Sequence, residues 1–161
     1  MGHRMLTAYA IAPAVDRERN FVADSWRRSL QDQPAYSAMP TRGYVAFANS
    51  VIAHFIGPGG PLELDARDRL YIARDRERPA YCYGWLLGRD LLPGHALVSV
   101  YVKSAHRRQG IARDLLATAI EATEDGPLTY AFRTRADAWL DALGMQFVPV
   151  ETLEYGEREA S

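Results

Sequence analysis

A chain of 161 residues suits one domain and is long enough to bury a core without disulfide staples. Its 48% hydrophobic and 24% charged residues are those of an ordinary globular protein, and a net charge of −1 argues against bulk nucleic-acid binding. One cysteine, Cys82, leaves no intramolecular disulfide or cysteine-based metal cluster and points to a reducing, cytoplasmic setting; no apolar run approaches a membrane span, and Met1–Leu6 has no signal-peptide core.

The first predicted strand runs from Met5 to Ala12 and stops at Pro13. Asp16 stands where a helix N-cap belongs, and Val22, Trp26 and Leu30 recur at helical spacing, so a helix is expected over residues 16–31. Residues 32–43, with Gln33-Pro34, Met39-Pro40 and Arg42-Gly43, read as a loop. A second helix is expected over 44–56, ended by Gly57-Pro58-Gly59-Gly60-Pro61. That glycine cluster lacks the Lys-Ser/Thr of a nucleotide loop and reads as a turn. Glu63, Asp65 and Asp68 follow as carboxylates able to attract a cationic amine.

Strands are then expected at 69–74, 80–87 and 95–103, separated by turns at 75–79 and 89–94. Tyr81 to Leu87 is apolar on both faces and should be central, with Cys82 a core residue. A helix follows, with Ile111, Leu115, Leu116, Ala119 and Ile120 on one side, and Asp125-Gly126-Pro127 stops the chain beyond it. A strand at 128–132, a helix at 135–143, a last strand at 146–153 and a polar tail from Gly156 complete the chain. The order is β-α-α-β-β-β-α-β-α-β: an α/β protein with a mixed sheet and helices on both faces, one domain over residues 1–161.

The stretch from Val98 to Leu116 carries the chemistry. A β-branched strand feeds a basic turn around Gly110 and then a helix N-terminus. Unpaired N–H groups and the positive end of the helix dipole favour an anion there, and Gly110 lets a pyrophosphate approach the backbone. Lys103, Arg107, Arg108 and Arg113, with His106 among them and no acid between, agree with that reading.

Arg107-Arg108-Gln109-Gly110-Ile111-Ala112 resembles the acyl-CoA pyrophosphate loop of the GNAT N-acetyltransferase superfamily, (Gln/Arg)-x-x-Gly-x-(Gly/Ala). Val100-Tyr101-Val102 before it and Leu115-Leu116 after it match the family context, and Ala136–Met145 resembles the family's late helix and terminal Gly-Phe. The resemblance implies a fold with splayed central strands, acetyl-CoA as co-substrate, no metal, and a small-molecule or protein amine as acceptor. It assigns Arg107, Arg108, Gln109, Gly110, Ile111, Ala112 and Arg113 to the pyrophosphate. Val100, Tyr101 and Val102 fall to the pantetheine arm, and Arg107, Arg108 or Lys103 to the ribose phosphate. One N–H of that strand would polarise the thioester carbonyl.

The family's acid–base positions are silent in this chain. The late-helix Tyr is Leu140, the Glu or His of the loop's strand is Ala96, with Val98 next on its face, and the Asn that begins the late helix is Arg133. Tyr83, Tyr101 and His95 are the alternative catalytic candidates; His95 would need a β-bulge to be re-aimed. Two readings follow: an N-acyltransferase acting by positioning its reactants, or a catalytically weak or inactive module that binds CoA, or nothing, and has a structural or interaction role. Ser25-Trp26-Arg27-Arg28-Ser29 resembles GNAT-like proteins of phage genomes, so a phage particle is one setting for the second. Trp26, Trp139 and the 32–43 loop would then form an interface, in a homodimer or a larger assembly. Membrane association is not expected.

Overall fold

The computed structural model describes residues 8–31, 40–91, 93–131 and 137–149. Strand β1 (Tyr9–Pro13) is followed by a 3-10 turn (Asp16–Glu18) and α1 (Arg19–Gln31), then α2 (Thr41–Ile56), β2 (Asp68–Asp75), β3 (Cys82–Asp90) and β4 (His95–Val102). A 3-10 turn (Ser104–His106), α3 (Ile111–Glu121), β5 (Leu128–Tyr130), α4 (Asp137–Ala142) and β6 (Gln146–Phe147) complete the order. The six strands form one sheet in sequence order, antiparallel from β1 to β4 and parallel from β4 to β6. This is the expected α/β mixed sheet. No helix among the described residues is long and apolar enough to cross a membrane.

The sheet separates two cores. Trp26, Leu30, Phe55, Ile56, Ile72, Trp85, Leu87 and Val98 pack α1 and α2 on one face. Tyr71, Leu86, Leu97, Ile111, Leu115, Tyr130 and Leu140 pack α3 and α4 on the other. Strand β3 is central, and eight of its nine residues are buried, so both faces must be apolar. Cys82 is a buried core thiol, and burial pushes its pKa up to about 11. In the first core Trp85 donates its indole N–H to Ser25 Oγ at 2.7 Å, and Ser25 donates to the Phe21 carbonyl at 2.6 Å. That bond places a serine, otherwise an odd residue on an apolar helix face, at 0% exposure.

Several expectations are corrected. Val15, not Asp16, precedes the first helical turn: its N–H donates to Glu18 Oε1 at 2.9 Å, while Asp16 accepts from the Leu62 N–H. Glu18 is itself buried and held by Arg74 at 2.5 and 2.6 Å. Helix α2 begins at Thr41, because Tyr44 N–H closes the first turn on the Pro40 carbonyl and its hydroxyl donates to the Arg27 carbonyl. Strand β3 runs on to Asp90, since Arg89 lies inside, donating to Asp68 at 2.6 and 2.9 Å. Asp68, at 3% exposure, is therefore a buried partner and not an amine-attracting surface carboxylate. Trp26 is fully buried between Trp85 and Phe55, which removes it as an interface residue. The expected strand start at 5–7, the 32–39 loop, Phe132, Arg133, the helix start at 135–136, the strand beyond 149 and the tail lie outside the described residues.

Candidate acyl-CoA site

The site begins where β4 parts from β5. Their pairing covers His95 with Leu128, Ala96 with Thr129 and Leu97 with Tyr130, and the last bond is Ala131 N–H to the Leu97 carbonyl at 2.9 Å. Among the described residues, Ser99 to Val102 pair only with β3. Lys103 N–H donates to the Tyr83 carbonyl at 2.9 Å, so by antiparallel alternation the backbone groups of Val100 and Val102 face away from β3, along the open edge. Arg107 Nε donates to the Val102 carbonyl at 3.0 Å. The Val100 N–H and carbonyl and the Val102 N–H are left for an amide-bearing chain.

A β-bulge governs what faces where. Leu87 pairs with Ser99 and Gly88 with Leu97, which leaves Val98 as the extra residue in β4. Directly opposed residues share a face, so Ser99 shares the α1/α2 face with Leu87, and Val98 packs there too. Downstream, the bulge turns Val100 and Val102 to the α3 face. Without it they would point the other way, and the loop would start from the wrong side of the sheet.

The loop then builds an anion cradle. After the Ser104–His106 turn, Arg108 takes φ 66° and Gly110 takes φ 83°, ψ 7°. A left-handed arginine is an unusual backbone state, of the kind that concentrates at ligand-binding turns. The first intrahelical bond of α3 is Asp114 N–H to the Gly110 carbonyl at 3.0 Å, so the N–H groups of Ile111, Ala112 and Arg113 carry no helical acceptor. A β-carbon built on Gly110 would meet nothing within 4 Å, which leaves the approach to those groups clear. Asp114, the acid of this first turn, accepts a hydrogen bond from the Tyr9 hydroxyl. Burial and that carboxylate push the Tyr9 pKa up to about 12.

A pocket of about 530 Å³ opens here, lined by Val102, Arg107, Arg108, Gly110, Ile111, Ala112 and Arg113. Seven of the predicted cofactor-binding residues therefore share one cavity of the size that holds small ligands. His106 and Trp139 line it as well. In the sequence His106 stands out only as part of the basic cluster, and Trp139 only as part of the late-helix stretch and as an interface residue. Gln109 is exposed outside this lining, and Val100 and Tyr101 lie further along β4. Arg108 and Arg113 are exposed and make no ion pair among the described residues. Lys103 is drawn away from them: its Nζ lies 3.9 Å from the Tyr81 ring centroid and 5.2 Å from that of Phe21.

The three catalytic candidates fall in three different places. His95 is fully buried and faces the α3 side with Leu97; a β-carbon on Gly88 would lie 2.2 Å from its Cε1. The bulge lies downstream of it and does not re-aim it, and burial lowers its pKa. Tyr83 donates its hydroxyl to Asp75 Oδ2 at 2.5 Å, a bond that raises the phenol pKa and lowers that of the carboxyl. Its ring lies 4.3 Å from that of His106, whose Nε2 meets the Tyr81 hydroxyl at 2.8 Å. This cluster braces the Ser104–His106 turn against the β2–β3 hairpin. Tyr101 is half-buried on the α1/α2 face, 6.3 Å from both Trp85 and Phe21. Ala96, at 0% exposure, and Leu140, at 1%, are buried and apolar, and Met145 fills the second core beside Gly144, whose φ is 83°.

No curated protein sequence matches the chain. Solved structures share the fold, among them the following three. An acetyltransferase of Corynebacterium glutamicum, described as histone acetyltransferase HPA2 and related, superposes with a TM-score of 0.61 at 18% identity, over 86% of this chain and 84% of its own. A ribosomal-protein-alanine N-acetyltransferase of Brucella melitensis gives 0.52 at 20% identity, over 84% and 90%. A PaiA N-acetyltransferase of Thermoplasma acidophilum, solved in complex with coenzyme A, gives 0.51 at 12% identity, over 71% of each chain. The sequence itself matches the model of the acetyltransferase (GNAT) family over residues 23–139. With the parted strands and the glycine-capped loop in place, that match covers most of the chain, and the protein belongs to the GNAT acetyltransferase family.

Proposed function

We propose that the protein transfers an acetyl group from acetyl-CoA directly to the amine of a small molecule or a protein. The observation that carries this reading is the open edge of β4 running straight into the loop pocket. The pyrophosphate sits on the N–H groups of the first turn of α3, with Arg108 and Arg113 beside it. The pantetheine amides pair with Val100 and Val102 as an added strand would. The Val100 N–H then donates to the thioester carbonyl and to the oxyanion formed on attack. A neutral amine adds to the acyl carbon, the C–S bond breaks, and the thiol leaves with the proton lost by nitrogen.

Buried Ala96 and Leu140 supply no proton transfer, so the rate rests on positioning two reactants. These same residues favour a second reading, a module that binds CoA without turnover. Thermal melting with acetyl-CoA at about 100-fold its Kd predicts about 2.7 kcal/mol of stabilisation. No shift refutes both readings. A shift without thiol release over a panel of amines favours the binding module.

A further inference from the structure

We propose that Tyr9 is a positioning residue for the anion cradle: it holds the Asp114 carboxylate away from the N–H groups at the start of α3, so that the acyl-CoA pyrophosphate meets them without a competitor. This rests on the acyl-CoA reading above. Asp114 is the acid in the first turn of α3, the same turn whose Ile111, Ala112 and Arg113 N–H groups carry no helical acceptor. A helix N-terminus attracts a carboxylate as it attracts a phosphate. Side chains on a helix lean toward its N-terminus, so a carboxylate at position 114 overlies that turn. Left to itself, it would take up the donors that the pyrophosphate needs and repel the phosphate charge.

The structure directs it elsewhere. The Tyr9 hydroxyl, from edge strand β1, donates to Asp114 Oδ2. The pocket lining takes Ile111, Ala112 and Arg113 from this turn but not Asp114. Among the described residues Asp114 forms no ion pair with Arg108 or Arg113. A neutral phenol therefore restrains the carboxylate, and both guanidinium groups stay available to an anion. Tyr9 is itself firmly placed. It is 8% exposed, it belongs to the core under α3, and its ring lies 5.8 Å from that of Tyr83. Tyr83 in turn lies 4.3 Å from His106 at the pocket wall, so one aromatic row ties β1 to the loop as well as to the helix. With its pKa pushed up to about 12, the phenol keeps the proton that it donates.

The test is a double-mutant cycle on acetyl-CoA affinity, read by calorimetric titration of the full chain at a temperature where ligand-free melts show every variant folded. Tyr9→Phe keeps the ring in the core. It is expected to weaken binding about fivefold, the effect of a unit charge moved about 2–3 Å toward the phosphate in an effective dielectric near 20. In the Asp114→Asn background the same substitution is expected to leave the affinity unchanged. Asn keeps an acceptor for the hydroxyl but not the charge, so a bond that merely docks β1 on α3 would be missed equally in both backgrounds. Equal losses in the two backgrounds therefore overturn the proposal. So does a Tyr9→Phe variant that melts lower yet binds acetyl-CoA as tightly as wild type. A wild type that does not bind acetyl-CoA fails earlier, at the acyl-CoA reading itself.

Discussion

Substituting Gly110 separates the two roles of this residue, backbone freedom and open approach. At φ 83° with nothing within 4 Å of a would-be β-carbon, Gly110→Ala meets no steric neighbour and carries only the left-handed strain, about 1–2 kcal/mol. For a domain of this size that lowers Tm by roughly 2–8 °C. Gly60, at φ 74° and equally open, lies in the turn after α2, away from the pocket, so Gly60→Ala should lower Tm by a similar amount with no effect on ligand binding. Gly110→Glu adds a carboxylate to the same strain. At about 5 Å from a phosphate charge and an effective dielectric near 20, the repulsion is about 3 kcal/mol. That is a loss of roughly 100-fold in affinity. In a melting assay at about 100-fold the wild-type Kd, stabilisation by acetyl-CoA should fall from about 2.7 to about 0.4 kcal/mol. A shift of roughly 5–11 °C then shrinks to about 1–2 °C. Equal shifts for Gly110→Glu and wild type would falsify the placement of the anion at this loop.

Two further outcomes concern stability. Asp68→Leu leaves the Arg89 guanidinium buried without its carboxylate and should cost about 3–5 kcal/mol, whereas adding Arg89→Met should recover most of the loss. Urea unfolding of both variants checks this, and a double variant no better than the single would refute it. Burial keeps the His95 imidazole neutral in the folded chain, while the unfolded chain protonates it below its ordinary value of 6.5. The unfolded state then binds the extra proton, so stability falls as pH drops through 6.5, by up to about 1.4 kcal/mol per unit. The loss levels off once the folded imidazole also titrates. His95→Leu should flatten that slope in melts from pH 8 to 5, and an unchanged slope would show that His95 contributes nothing to it.

The strand–glycine–helix stretch was legible because its information is local. Alternation through Val100 and Val102, the single Gly110 and the spacing of Ile111, Leu115 and Ala119 are properties of adjacent residues, and the cradle that they form needs only the backbone conformation that they favour. The central place of β3 followed in the same way from a run apolar on both faces. Asp68 and Arg89 misled because a charged residue reads as surface until its partner, far away in sequence, is brought beside it. The faces of β4 depended on something no pattern marks. A single extra residue at Val98, visible only in the pairing with β3, places Ser99 on the α1/α2 face and Val100 and Val102 on the other. The sequence by itself determined that a strand feeds a basic turn around one glycine and then a helix N-terminus. The tertiary structure alone decided which side chains face the reacting end, because the facing of a strand is a property of its register with a neighbour and not of its own residues.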